Sequence, residues 1–181
     1  MADDRSEPLI ACVSCRALVP VVDVPRHRYM TGSPGCWLVY GDVIAHEYSN
    51  AVLGRWHQLT VDAYAVQHPG GQDRVARQSV AIHLMSLCAI LEHGASVADA
   101  PRRLHGWAKQ RRAFEWLEPP SSLGAVTVAD ARAAIAGNPE RYAATVRRWA
   151  DAAWKAWEPH HGRVRAWLEL ASAARALGRA G

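Results

Sequence analysis

The chain contains no apolar run of eighteen residues and no hydrophobic segment at its start. Neither a membrane-spanning helix nor an export signal is therefore expected. Cysteine is scarce, with four residues, two of them in the Cys-x-x-Cys pair Cys12 and Cys15. That spacing reads as metal or redox chemistry in a reducing compartment, and a cytoplasmic protein without a membrane partner is the expectation. No Gly-x-x-x-x-Gly-Lys and no dinucleotide fingerprint is present, which excludes the usual phosphate-binding loops. A serine nucleophile elbow is missing too. Paired Glu-x-x-His motifs and His-Glu-x-x-His are absent: His46-Glu47-Tyr48 lacks the second histidine.

What is present is a core. Half of the 181 residues are apolar and eight are tryptophan, too much for a disordered chain and enough for one domain. The formal charge of +4 is mildly basic. Its arginines gather in residues 101–112 and at Arg147 and Arg148, with no tail and no basic stripe interleaved with aromatics. They read as solvated surface, and no nucleic-acid partner is expected.

Residues 1–35 read as a non-helical arm, with Leu18 to Val24 as the single segment that could form a strand. Ser33 and Pro34 then suit an N-cap and first helical position, followed by Trp37, Tyr40, Ile44 and Tyr48 at helical spacing. A second helix is expected from Leu53 to His68, apolar on two sides and therefore central, and ended by Pro69-Gly70-Gly71. A third is expected from Ser79 to Glu92 and a shorter one after Pro101. Thr127 with Asp130 has the spacing of a capping box. Asn138-Pro139 starts the helix carrying Tyr142, Val146 and Trp149, and Pro159 breaks it before the last helix. The fold class is mainly α: an irregular helical bundle with a non-helical N-terminal arm. The expected units are an arm over 1–35, with a zinc knuckle as one reading, and a single helical domain over 36–178.

Four segments, 28-RYMTGSPGCWLVYGDVIAHEYSN-50, 57-HQLTVDAYAVQHPG-70, 78-QSVAIHLMSLCAILEHG-94 and 157-WEPHHGRVRAWL-168, resemble a family of small bacterial proteins of unknown function, DUF5946. The resemblance spans most of residues 12–170. It implies a shared fold and a shared site, and carries no activity. Family members show a Cys-x-x-Cys near the start, as Cys12 and Cys15 do here, and the resemblance argues against a zinc finger of the nucleic-acid-binding type.

Two candidate sites follow from the residues. The thiolates of Cys12 and Cys15 can meet at one tetrahedral zinc, which needs two further ligands. Cys36 and His27 are the nearest candidates, with His57, His68 and Cys88 as remoter options. Unligated cysteines and a redox pair stay open as alternatives. The second candidate is internal: Glu47, His57, His83 and His161 from four helices could hold zinc, iron or manganese inside a bundle. Asp62 could orient an imidazole there, and is counted with His57, His83 and His161 among the catalytic candidates. The plainer alternatives are neutral, hydrogen-bonded core histidines or metal-free acid–base use.

Helix geometry constrains the choice. His57 and His68 are eleven residues apart, about 16 Å along a straight helix, so they cannot share a metal. Tyr64 and His68 can touch at i,i+4. His57 and Asp62 point about 140° apart. Of His160 and His161, the second shares a face with Val164 and Leu168, and the helix N-terminus favours its neutral form. Trp149, Trp154, Trp157 and Trp167 read as core packing, or as an aromatic pocket. The functional expectation is a small metal-dependent enzyme acting on an unidentified small molecule through the inter-helix His/Glu site. The alternative is a zinc-stabilised helical binding or regulatory module. A bare scaffold that pairs as a homodimer is the third reading.

Overall fold

Side-chain caps set where three of the helices begin. In the computed structural model, which describes residues 8–109 and 114–177, helix α1 spans Pro34–Ser49, with Ser33 as N-cap. Its hydroxyl is turned away from the helix and accepts the N–H of Val13 instead, tying the arm to the helix start. Helix α2 spans His57–Gln67 after a single 3₁₀ turn at Gly54–Trp56. Helix α3 spans Arg74–Leu91, longer at its start than the expected Ser79. Asp73 accepts the N–H groups of Val75 and Ala76, so one cap supports a polar first turn that apolar periodicity does not reveal.

Helix α4 runs over Ala100–Lys109, α5 over Val128–Ala134, α6 over Pro139–Ala156 and α7 over His161–Leu177. The Thr127–Asp130 capping box forms in full at α5, and Asn138 caps α6 by accepting from the Arg141 N–H. Of the segment Leu18 to Val24, expected as the one strand, Leu18–Pro20 forms β2. It pairs antiparallel with Leu9–Ala11 (β1), Leu9 opposite Pro20 and Ala11 opposite Leu18. Residues 1–7, Arg111 and Arg112 of the basic segment, and residue 178 lie outside the described residues. Among the described residues no helix is long and apolar enough to cross a membrane.

Helix α2 is central. It packs against α3 and α6, while α1 lies on α5 and α7 on α3. Nine of its residues, Gln58 to Thr60 and Asp62 to Gln67, are buried, as expected for a helix apolar on two sides. Trp149 and Trp157 are fully buried beside it. Burying roughly 200 Å² of indole at about 25 cal/mol per Å² stabilises by about 5 kcal/mol before entropy. Each indole N–H is also satisfied, Trp149 on Gln67 Oε1 at 2.7 Å and Trp157 on the Val66 carbonyl at 3.1 Å. Both tryptophans are core, not pocket lining.

Candidate metal centre

The last turn of a helix leaves four carbonyls without helical partners. At the C-terminus of α2 all four are used, and in being used they build the site. The Ala65 carbonyl accepts the backbone N–H of His68, and the Tyr64 carbonyl accepts its ring Nδ1–H at 2.7 Å. Val66 takes the indole of Trp157, and Gln67 takes the Ser14 hydroxyl at 2.8 Å. Ser14 sits between Cys12 and Cys15, so this bond pins the Cys-x-x-Cys turn to the helix end. With Nδ1 donating, the neutral imidazole of His68 presents Nε2 as a lone pair.

That nitrogen faces thiols. Nε2 of His68 lies 3.2 Å from Cys36 Sγ and 3.7 Å from Cys12 Sγ, and Cys15 Sγ lies 3.8 Å from Cys36 Sγ. The four donor atoms of Cys12, Cys15, Cys36 and His68 lie within 4.8 Å of one another, and all four residues are buried. A tetrahedral zinc with bonds of about 2.3 Å to sulfur needs edges of about 3.8 Å between sulfurs, the separation of Cys15 and Cys36. A disulfide needs its sulfurs at about 2 Å, and all four cysteines are free. The donor set therefore fits one metal ion.

Three elements deliver it. The β1–β2 turn carries Cys12 and Cys15: Cys12 N–H bonds the Ala17 carbonyl, and Arg16 N–H bonds the Cys12 carbonyl. Arg16 takes a left-handed φ of 65° to close this turn. The first turn of α1 carries Cys36, and the Ser33 N–H points at Cys12 Sγ at 3.5 Å. A Cβ on Gly35 would overlap the Pro20 carbonyl, so α1 can approach β2 this closely only with glycine there. Behind His68 the rings of Trp37, Tyr40, Tyr64 and His68 stack in series, the last two steps at 4.0 Å between centroids.

The thiols share their charge unequally. Hydrogen bonds from Cys15 and Cys36 draw the Cys12 thiol far below the ordinary thiol range, and the contacts with Cys12 and Cys15 push Cys36 up. Burial alone would lower His68, but its bonds to Cys12 and Cys15 prevail and raise it to about 9.

The fourth side chain beside the three thiols is His68 rather than His27. His27 packs against Tyr29 and Trp37 and accepts the Tyr29 N–H, and burial lowers its pKa. The internal set of Glu47, His57, His83 and His161 is distributed over three places. Glu47, buried, accepts from Thr60, from the Tyr142 hydroxyl at 2.8 Å and from His57 Nδ1 at 2.9 Å. Asp62, also buried, accepts from His83 Nδ1 at 2.7 Å. His161 stacks on Trp154 and donates to the Trp154 carbonyl at 3.0 Å. Among the described residues these ligands form no common metal group. Cys88, Glu92 and His93 do lie close together. There, however, Arg165 clamps Glu92 through two bonds of 2.7 and 2.8 Å and draws its carboxyl down to about 2, while burial pushes the Cys88 thiol up to about 12.

The model for DUF5946, a family of unknown function, matches residues 10–158. The chain belongs to this family. The matched stretch holds Cys12, Cys15, Cys36 and His68 together, so DUF5946 membership covers the whole metal group and all helices from α1 to α6. No curated protein and no solved structure matches the chain.

Proposed function

We propose that this DUF5946 protein is a zinc-stabilised helical binding module, in which Cys12, Cys15, Cys36 and His68 hold one structural zinc. The convergence of three buried thiols and one tautomer-fixed imidazole carries the reading. Three soft sulfur donors with one nitrogen select zinc over magnesium, calcium or manganese. Four protein ligands close the tetrahedron and leave no position for substrate, the mark of a structural rather than a catalytic site. The metal joins the hairpin, the start of α1 and the end of α2, elements up to 56 residues apart in sequence. Reduced, closely spaced thiols suit the cytoplasm.

The hairpin also offers a surface. Leu9, Ile10, Val13, Leu18 and Val21 are all exposed, with Leu9 and Leu18 on the same face of the hairpin. A second copy of the chain is the first partner to test, by light scattering on the wild type and on Leu18→Asp.

Elemental mass spectrometry on the purified full chain tests the metal. One zinc per chain is expected in the wild type and in His27→Ala, and none in Cys36→Ser or His68→Ala. Zinc retained in Cys36→Ser but lost in His83→Ala would overturn the reading.

A further inference from the structure

The Asp62–His83 pair shares no residue with the thiol group and opens on a cleft of its own. Three donors converge on the Asp62 carboxylate: Gln58 Nε2 at 2.8 Å, His83 Nδ1 at 2.7 Å and Ser86 Oγ at 2.6 Å. A carboxylate only accepts, so Nδ1 of His83 carries a hydrogen, and in the neutral ring the acceptor is then Nε2. The Asp62 side chain is 0% exposed and that of His83 is 17% exposed. The pair therefore runs from the core outward to a cleft of about 470 Å³.

That cleft has the character of a small-molecule site. Tyr29, Ser79, Ile82, His83 and His105 line it, and among the described residues no lysine, arginine, aspartate or glutamate does. Its size falls in the range of ligand pockets, which combine apolar walls with a few placed polar groups. A buried carboxylate is costly to keep where apolar packing would serve a scaffold as well. Here its effect is to fix one imidazole with its acceptor nitrogen on the cavity side.

We propose that this cleft binds a small uncharged molecule bearing an O–H or N–H group, which donates to Nε2 of His83. Asp62 is the positioning residue: it holds the tautomer and would balance an imidazolium. Where the bound group is acidic enough, its proton passes to Nε2, leaving the ligand anion beside an imidazolium–carboxylate pair. Hydroxyl and N–H ligands without net charge are favoured, since the described residues of the walls hold no carboxylate, lysine or arginine to pair with a charged one.

The test uses the metal-replete full chain with ¹⁵N-labelled histidine, titrated with phenol, an uncharged O–H donor with a flat apolar body. The His83 resonances are assigned from their loss in His83→Gln. Before addition, Nε2 should resonate as an unprotonated acceptor, and phenol should move it saturably. Ala108→Trp, at an exposed position on the cleft wall, should block entry and weaken phenol binding roughly tenfold or more. His83→Gln, followed by saturation transfer from protein to phenol, should weaken it by roughly tenfold, the size of one lost hydrogen bond. A hydrogen on Nε2 in the free protein would overturn the proposal. So would a His83 signal that phenol does not move, or unchanged affinity in both variants. The outcome is separate from that of the zinc reading, because metal content reports on the thiol group and this resonance reports on the cleft.

Discussion

The ring Nδ1–H of His68 is held by the carbonyl of Tyr64, four residues earlier, at 2.7 Å. A helix-end carbonyl that would otherwise need water thus selects the tautomer that can ligate a metal. The ring has little room behind it: a Cβ on Gly32 would sit 3.2 Å from His68 Cδ2. Because His68 is also stacked on Tyr64, it cannot yield without leaving the thiols. Gly32→Val should weaken zinc binding by about 10–100-fold, the usual cost of disturbing the groups that orient a ligand, and Gly32→Ala by less. Competition with a chromophoric chelator measures this, and unchanged affinity in Gly32→Val would show that the ring is not so constrained.

Zinc binding should release protons. Without metal, Cys36 is pushed up by its contacts with Cys12 and Cys15, and His68 is raised to about 9. Both groups therefore carry protons at neutral pH and must lose them to ligate. The sign follows: a group raised in the folded state favours folding of the metal-free chain below its ordinary pKa, and that contribution is lost as pH rises through about 9 for His68. Apparent zinc affinity moves the other way, rising with pH up to about 9. Calorimetry in buffers of differing ionisation enthalpy should show at least the two protons of Cys36 and His68 released at pH 7. A value near zero would contradict the assignment of His68 as a ligand.

Gly35→Ala should loosen the hairpin. Its methyl group would overlap the Pro20 carbonyl, and a backbone atom cannot rotate away as a side chain can. A cost of roughly 1–3 kcal/mol is expected, typical of overpacking. Urea unfolding should show it, together with reduced zinc retention, because the same movement separates Cys36 from Cys12 and Cys15.

Tyr142→Phe probes the buried carboxylate of Glu47. The change removes one of three donors to that group, a bond of 2.8 Å, and leaves the ring in place. Losing a donor to a buried charged group costs about 1–3 kcal/mol. Urea unfolding should register that loss while zinc content stays at the wild-type level, which separates the bundle core from the metal group.

The helices were legible where their signals are local. Thr127–Asp130 and Asn138–Pro139 announce α5 and α6 because a cap involves residues two or three apart. The start of α3 was hidden because Arg74, Arg77 and Gln78 make a polar first turn, supported by the single Asp73 cap. Candidate site residues were legible as types and not as sets. Cys12, Cys15 and Cys36 stand out in or beside one short arm, and nearness along the chain favoured His27 over His68 as their companion. Helical phase put Glu47, His57 and His83 on or beside packed faces, yet phase says nothing of which face meets which.

By itself the sequence determined a mainly helical chain, the caps that start α5 and α6 and the Cys-x-x-Cys that begins the metal group. Each of these depends on interactions within one turn of helix or hairpin. Only the tertiary structure decided that His68, 56 residues from Cys12, completes the set, and that the inward histidines divide into Glu47–His57, Asp62–His83 and His161–Trp154. The reason is that ligation and pairing depend on distances across the bundle. Those distances are set by the packing of α2 against α3 and α6 and by the close approach of α1 to β2 at Gly35, which no spacing along the chain records.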